Sequence, residues 1–276
     1  MTYSKHVDKV KNFLMELFFP SFCLGCKKEG THLCQDCKSI LEISEYNYCL
    51  CNKNPIRIAS NEKSGRCNRC NDKKLSGLYF ALPYKEKSLT RKLVHKFKYE
   101  PYIKDLAKNL AGILIEHFIL TKNINDSDHL YNYFARSEYE NKFSHSSLPS
   151  NYNPGKIWEN SVLIPIPMEK KKQKDRGYNQ AEELVKELSK VIKVPVVSDN
   201  LIKTKPTLPQ IKLSAKDREE NLKGAFKIKN PTELADKKIF LVDDVYTTGS
   251  TMEECSRVLR DAGAKQVWGI AVAREG

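Results

Sequence analysis

The chain has 276 residues, room for one large domain or two. Its 47 Lys and Arg outweigh 34 Asp and Glu, and the formal charge of +13 creates a field that attracts polyanions. The best apolar run near the start, FLMELFFPSF, is broken by Glu16 and Pro20 and falls far short of the ~20 residues that span a bilayer, which argues against a membrane span or signal peptide and for a cytoplasmic protein.

In chain order, residues 1–20 come first, and their pattern over 3–19 predicts a short amphipathic helix. Residues 21–75 hold eight of the nine cysteines, in four close pairs: Cys23 and Cys26, Cys34 and Cys37, Cys49 and Cys51, Cys67 and Cys70. Paired thiolates on short loops are the knuckles of tetrahedral zinc sites, and a cytosolic chain rarely keeps disulfides. Seven residues separate the first two pairs and fifteen the last two, so sequential pairing predicts two zinc ribbons in tandem with two structural ions. The second is the weaker pattern, because CLC leaves one residue between its sulfurs. Four thiolates close the shell, which favours a scaffold or recognition role over catalysis, and His32 is an alternative ligand that four cysteines make less needed. Eight thiols also exceed what thioredoxin-like exchange uses. With few large apolar side chains in this stretch, metal binding must supply much of its folding free energy, on the order of 10 kcal/mol per site.

Residues 76–276 read as a separate α/β unit. GLYFALPYK (77–85) is a strand. SLTRKLVHKFKY carries Leu89, Leu93 and Phe97 on one helical stripe and basic residues, with His95, on the other. A second helix covers 103–120. From 121 to 160 the composition turns to Asn, Ser, Tyr and His without a sustained period, which predicts an insertion or long loop; His129 and His145 lie in it. SVLIPI (161–166) is a buried strand, ended by prolines, and a helix resumes near Asn179. Between them lies a basic loop, EKKKQKDR, running into Arg176, Gly177, Tyr178, Asn179 and Gln180. Such a loop at the carboxyl end of a strand is where α/β folds bind ligands. PVVSDNLIKTK, the run at 239–242 and the tail KQVWGIAVARE supply further strands, so a largely parallel sheet with helices on both faces is expected. Cys255 reads as a buried thiol, and Trp158 and Trp268 as core or strand-edge residues.

The most informative stretch is IFLVDDVYTTGSTMEECSRVL (239–259). A helix starting near Thr251 presents unpaired N–H groups and a partial positive charge, while Thr247, Thr248, Gly249, Ser250 and Thr251 add hydroxyls and a glycine for close approach. That arrangement suits a phosphate monoester. Asp243 and Asp244 just upstream can accept hydrogen bonds from vicinal hydroxyls or meet a divalent cation, and either relieves their mutual repulsion. Phosphate beside a diol describes a ribose 5-phosphate.

LVDDVYTTGST resembles the phosphoribosyl pyrophosphate (PRPP) motif of type I phosphoribosyltransferases, and the rest of the chain is similar to the ComF family, related to bacterial competence proteins. The supporting strings are PSFCLGC and LCQDC, LVHKFKY, IPIPMEKKKQKDRGYNQAEELV and KTKPTLPQIKLSAKDREENLKGAF. The resemblance implies a type I phosphoribosyltransferase-like domain behind a double zinc ribbon. It implies that Asp243 and Asp244 contact the ribose hydroxyls and Thr247 to Thr251 the 5-phosphate. Met168, Glu169, Lys170, Lys171 and Lys172 would face pyrophosphate, with Mg(II) bridging; Arg176, Gly177, Tyr178, Asn179 and Gln180 would line the cleft. Gln210, Arg218 and Asn221 would belong to a hood over it. The longer insertion and the CLC pair depart from the family pattern. Two functions follow: a competence protein that binds single-stranded DNA and a PRPP-like ligand during DNA uptake, or a transferase moving 5-phosphoribosyl to an amine or base, for which no acceptor site is identifiable. A third places the ribbons as a docking module for a helicase or other competence protein.

Overall fold

A computed structural model describes residues 20–59, 64–124, 155–207 and 220–275. The expected helix at 3–19, most of the insertion, Gln210 and Arg218 lie outside them. In chain order the elements are α1 (Gln35–Ser39), β1 (Asn47–Tyr48), β2 (Arg57–Ile58), β3 (Gly77–Pro83), α2 (Leu89–Lys98), α3 (Leu106–Leu120), β4 (Ser161–Pro165), α4 (Lys170–Arg176), α5 (Gln180–Ile192), β5 (Leu201–Lys203), β6 (Phe226–Ile228), β7 (Lys238–Tyr246), α6 (Ser250–Asp261) and β8 (Gln266–Arg274). Among the described residues no helix is long and apolar enough to cross a membrane.

Strands β3, β8, β7 and β4 pair in that order, all parallel. Such strands are buried on both faces, which is why they read as continuous apolar runs. Strand β1 adds to β3 in the antiparallel sense through Tyr48 and Leu78, and β2 follows it, so the second cysteine region extends the same sheet. Side chains alternate between the faces. On one face Tyr79, Phe240, Val242, Ile270 and Val272 pack with α2, α3, α5 and the first cysteine region. On the other, Leu78, Phe80, Ile239, Leu241 and Ala271 pack with α6, β5, β6 and the second.

Two expectations are corrected. PVVSDNLIKTK does not join the parallel sheet beyond a bridge from Val196 to Leu163; β5 pairs with β6 in a separate antiparallel ribbon. The cause is Asn200, buried, whose side chain donates to Asn230 O at 2.8 Å and accepts from the N–H groups of Lys229 and Asn230, drawing the chain away from β4. The basic segment after Pro167 is not a loop but the helix α4, closed by Gly177 in the left-handed region (φ 84°). The tail forms a strand as expected, and β8 lies between β3 and β7.

Trp158 and Trp268 are both buried. Phe240 lies fully buried with the Trp158 ring 4.6 Å and the Tyr79 ring 6.4 Å from its own. Phe240→Ala is expected to cost about 3–5 kcal/mol in urea unfolding, the loss of a buried aromatic plus a cavity; a cost below about 1 kcal/mol would mean that this layer is not packed as described.

Candidate functional site

The two carboxylates sit inside β7, three and two residues before it ends at Tyr246. Alternation along the strand sends Asp244 toward the α2 and α5 layer, where it is 3 % exposed, and Asp243 toward Cys255 of α6. Asp243 Oδ1 also accepts the N–H of Asp244 at 2.8 Å. Beyond Tyr246 the loop turns at Gly249 (φ 78°), which caps α6. A Cβ there would lie 2.2 Å from Tyr246 Oη, so both the conformation and the space demand glycine. The half-buried hydroxyls of Thr248 and Ser250 meet at 2.9 Å, beside the first N–H groups of a twelve-residue helix. Thr247 and Thr251, half-buried, flank them. The loop thus combines hydroxyls, a close backbone approach and the positive end of α6, as a phosphate requires.

Sequence reasoning passed over Lys98. This last residue of α2 places Nζ 2.9 Å from Asp244 Oδ1, across 146 positions of chain. Burial would lower its pKa, but Asp244 and then Asp243 outweigh that and raise it, so Lys98 is a cation. Only the three-dimensional pairing of α2 with β7 reveals it.

Residues 176–180 explain how α2 is held there. Tyr178 Oη and Gln180 Nε2 donate to the carbonyl of Phe97 at 2.6 and 3.0 Å, satisfying a carbonyl left open at the end of α2. Arg176 in turn donates to Gln180 Oε1. Asn179 caps α5, its Oδ1 accepting from Ala181 N at 3.0 Å, and its Nδ2 donates to Ile166 O at the end of β4. Tyr178, Asn179 and Gln180 are buried, so the structure places them behind the site, where they fix Lys98 and the end of β4. Arg176 is half-buried, its guanidinium 5.9 Å from the exposed Tyr99 ring.

Met168 and Glu169 are half-buried in the turn after β4, and Lys170, Lys171 and Lys172 are exposed on α4, with Lys172 Nζ 3.9 Å from Glu169. Asn221 is half-buried, in the segment entering β6.

The eight paired cysteines form two groups. Cys23, Cys26, Cys34 and Cys37 bring their sulfurs within 4.8 Å of one another, and so do Cys49, Cys51, Cys67 and Cys70. The CLC pair therefore closes as complete a set as the first. His32 stands in neither set. Packed this tightly, the thiols cannot all ionise alone: burial and neighbouring sulfurs push both Cys37 and Cys51 up to about 12. A divalent cation removes that conflict, and four soft thiolates are the donor set of structural zinc. Backbone N–H groups already point at the sulfurs, from Cys34 to Cys23 at 3.4 Å, Ile56 to Cys49 at 3.3 Å and Cys67 to Cys70 at 3.2 Å. The donors fit zinc at both sites. The carboxylate pair fits a diol or a divalent ion, though an ion on Asp244 Oδ1 would compete with Lys98. The ninth cysteine, Cys255, is buried beneath Asp243.

Comparison with known proteins is consistent with this geometry. Residues 174–275 match the phosphoribosyl transferase domain family. The chain is 44 % identical over 115 residues to Competence protein F of Haemophilus influenzae, covering 41 % of this chain and 50 % of that protein. It is 35 % identical over 108 residues to DNA utilization protein YhgH of Escherichia coli K12, covering 38 % and 47 %, and 34 % identical over 104 residues to Competence protein ComFC of Bacillus subtilis, covering 37 % and 39 %. The matched part thus spans about half the length of these relatives or less. The domain is of the type I phosphoribosyltransferase fold, with a mostly parallel sheet and two four-cysteine groups on its N-terminal side.

The carboxylate pair has a signature in pH. Burial, and then the charge of Asp244, raise Asp243 from 3.8 to about 7. The folded chain therefore holds a proton that the unfolded chain releases near 4, and the associated stability is whole below that value and lost as pH rises through about 7. Asp243→Asn keeps the shape without the charge. The difference in thermal midpoint, variant minus wild type, is expected to grow between pH 5 and 8; a difference flat in pH would place the ionisation elsewhere.

Proposed function

The chain belongs to the ComF family, and on that premise we propose that it binds a 5-phosphoribosyl ligand, PRPP with Mg(II), at the end of β7 and single-stranded DNA on its basic surface, in DNA uptake. The observation that carries this reading is the succession, within nine residues of chain, of Asp243 and Asp244 in β7, a left-handed Gly249 and the amino end of α6. The carboxylates accept from the ribose hydroxyls, Asp244 through the oxygen that Lys98 leaves available and Asp243 from the α6 side. The hydroxyls and N–H groups of 247–251 take the 5-phosphate. Lys98 offsets the charge of the pair when no ligand is present and remains as a cation near bound phosphate oxygens. Residues 168–172 offer the turn and the lysines toward which pyrophosphate would extend. Mg(II), when bound with PRPP, neutralises the diphosphate.

The DNA half of the proposal draws on charge and on relatives. Lys170, Lys171, Lys172 and Lys174 stand exposed on α4, on a chain of net charge +13, and the relatives' names speak of competence and DNA utilization. Phosphate contacts dominate nucleic-acid affinity and do not require base readout. Zinc at both cysteine groups serves the fold of the ribbons. A cytoplasmic location and contact with a DNA-uptake helicase or another competence protein belong to the same reading.

Calorimetry of the full chain with PRPP and Mg(II) tests the pocket: the double variant Asp243→Asn with Asp244→Asn is expected to abolish binding while keeping the circular dichroism of the wild type, and unchanged binding would remove the assignment. For DNA, the affinity for an unstructured oligonucleotide is expected to fall steeply with salt, and replacing Lys171, Lys172 and Lys174 by Ala to flatten that slope; an affinity indifferent to salt in the wild type rejects the basic surface as the DNA contact.

A further inference from the structure

The second cysteine group abuts the phosphate loop, through contacts that its role as a structural ribbon does not explain. Arg274, the last residue of β8, is 4 % exposed, and among the described residues no carboxylate lies within ion-pair distance of it. Its Nη1 donates to the carbonyl of Cys49 at 2.8 Å and its Nη2 to that of Cys51 at 2.5 Å, while Nε is buried without a partner. A buried cation lacking an anion is costly. Zinc held by four thiolates carries a net charge of roughly −2, and it would sit directly behind those two carbonyls, so the loaded site supplies the missing counter-charge.

The same guanidinium lies 5.5 Å from the Tyr246 ring, and it is this ring on which Gly249 rests. From the ribbon side Asn52, next to Cys51, donates from Nδ2 to the carbonyl of Thr248 at 3.2 Å. Glu253, in the first turn of α6, accepts from the N–H groups of Lys74 and Leu75 at 2.5 and 3.2 Å, just past Cys70. The loop is thus held from its floor by Arg274 and Tyr246, from its crest by Asn52 and from its following helix by residues 74–75. The first cysteine group packs on the opposite face, against Leu89 of α2 and, through Lys38 and Glu116 at 3.2 Å, against α3.

We propose that metal held by Cys49, Cys51, Cys67 and Cys70 sets the shape of the loop at 246–250, with Arg274 and Asn52 as positioning residues, so that occupancy of the second site, and not of the first, governs affinity for a phosphoribosyl ligand. The ligand part rests on the reading of the loop given above; the coupling of metal to loop does not.

Three forms of the full chain separate the two: wild type, Cys51→Ser with Cys67→Ser, and Cys26→Ser with Cys37→Ser. Metal content is expected to be two ions in the first and one in each of the others. The second-site variant is expected to bind PRPP with Mg(II) on the order of tenfold more weakly and to exchange its amide hydrogens faster over 246–250, whereas the first-site variant keeps wild-type exchange there. Unchanged exchange in the second-site variant, or an equal change in both variants, overturns the coupling. Should the second-site variant fail to fold, Asn52→Ala decides: it keeps all eight thiols and both metals, and is expected to speed exchange at Thr248 and weaken PRPP about threefold, the loss of one hydrogen bond, while wild-type exchange there rejects the proposal. A wild-type chain that binds no PRPP removes the phosphoribosyl reading alone, because the exchange comparison still judges the loop.

Discussion

Two adjacent carboxylates in the middle of a parallel sheet are the constraint around which this domain is arranged. Left to themselves Asp243 and Asp244 would repel at short range in a medium that screens poorly. One remedy is a cation, and Lys98 provides it at 2.9 Å from Asp244. A lysine at the frayed end of a ten-residue helix would wander, so the helix end must be fixed. Tyr178 and Gln180 do this by sharing the carbonyl of Phe97. The other remedy is a proton, and Asp243, desolvated and facing the charge of Asp244, is displaced toward it. Each carboxylate is thus accommodated differently, on a different face of the same strand.

Those arrangements were partly legible in the chain. The cysteine groups followed from spacing alone, because a thiol knuckle is a local object; even CLC, a residue short, closes its set. Strand β7 and helix α6 were legible because an apolar run followed by Gly and hydroxyls has few other local solutions. Lys98 was not, since its partner is 146 residues away and nothing in LVHKFKY distinguishes it from the lysines around it. The polar string at 176–180 suggested a ligand-facing loop, but direction is not written in composition, and its amide and phenol groups turn inward to cap helices. Likewise the basic segment at 170–176 forms a helix because it is made of good helix formers ended by a left-handed glycine, a boundary that charge alone conceals. Strand order, including the central position of β8, depends on pairings between distant segments, which no local pattern records.

The two cysteine groups look alike in sequence and differ in surroundings. The first lies in the layer of α2, α3 and α5, where Cys23, Cys34 and Cys37 join the apolar core directly. The second is carried by a hairpin continuous with the sheet and touches the turn before α6. Similar donors thus stand on opposite faces in different settings, and residues outside the knuckles, Arg274 and Asn52 above all, tie the second group to the turn before α6.

The junction of β1 with β3 also bears on how the sheet ends. Beyond β3, among the described residues, come only the two-residue strands β1 and β2, too short and too polar to recruit a stray chain. Among the described residues GLYFALP meets that side through Leu78, paired with Tyr48, and through Ala81 O, which accepts from Ser44 N–H at 2.8 Å, so much of this seven-residue border has no strand beside it. The short hairpin is thus a bumper on the rim of the sheet, placed where a second chain would otherwise begin to pair.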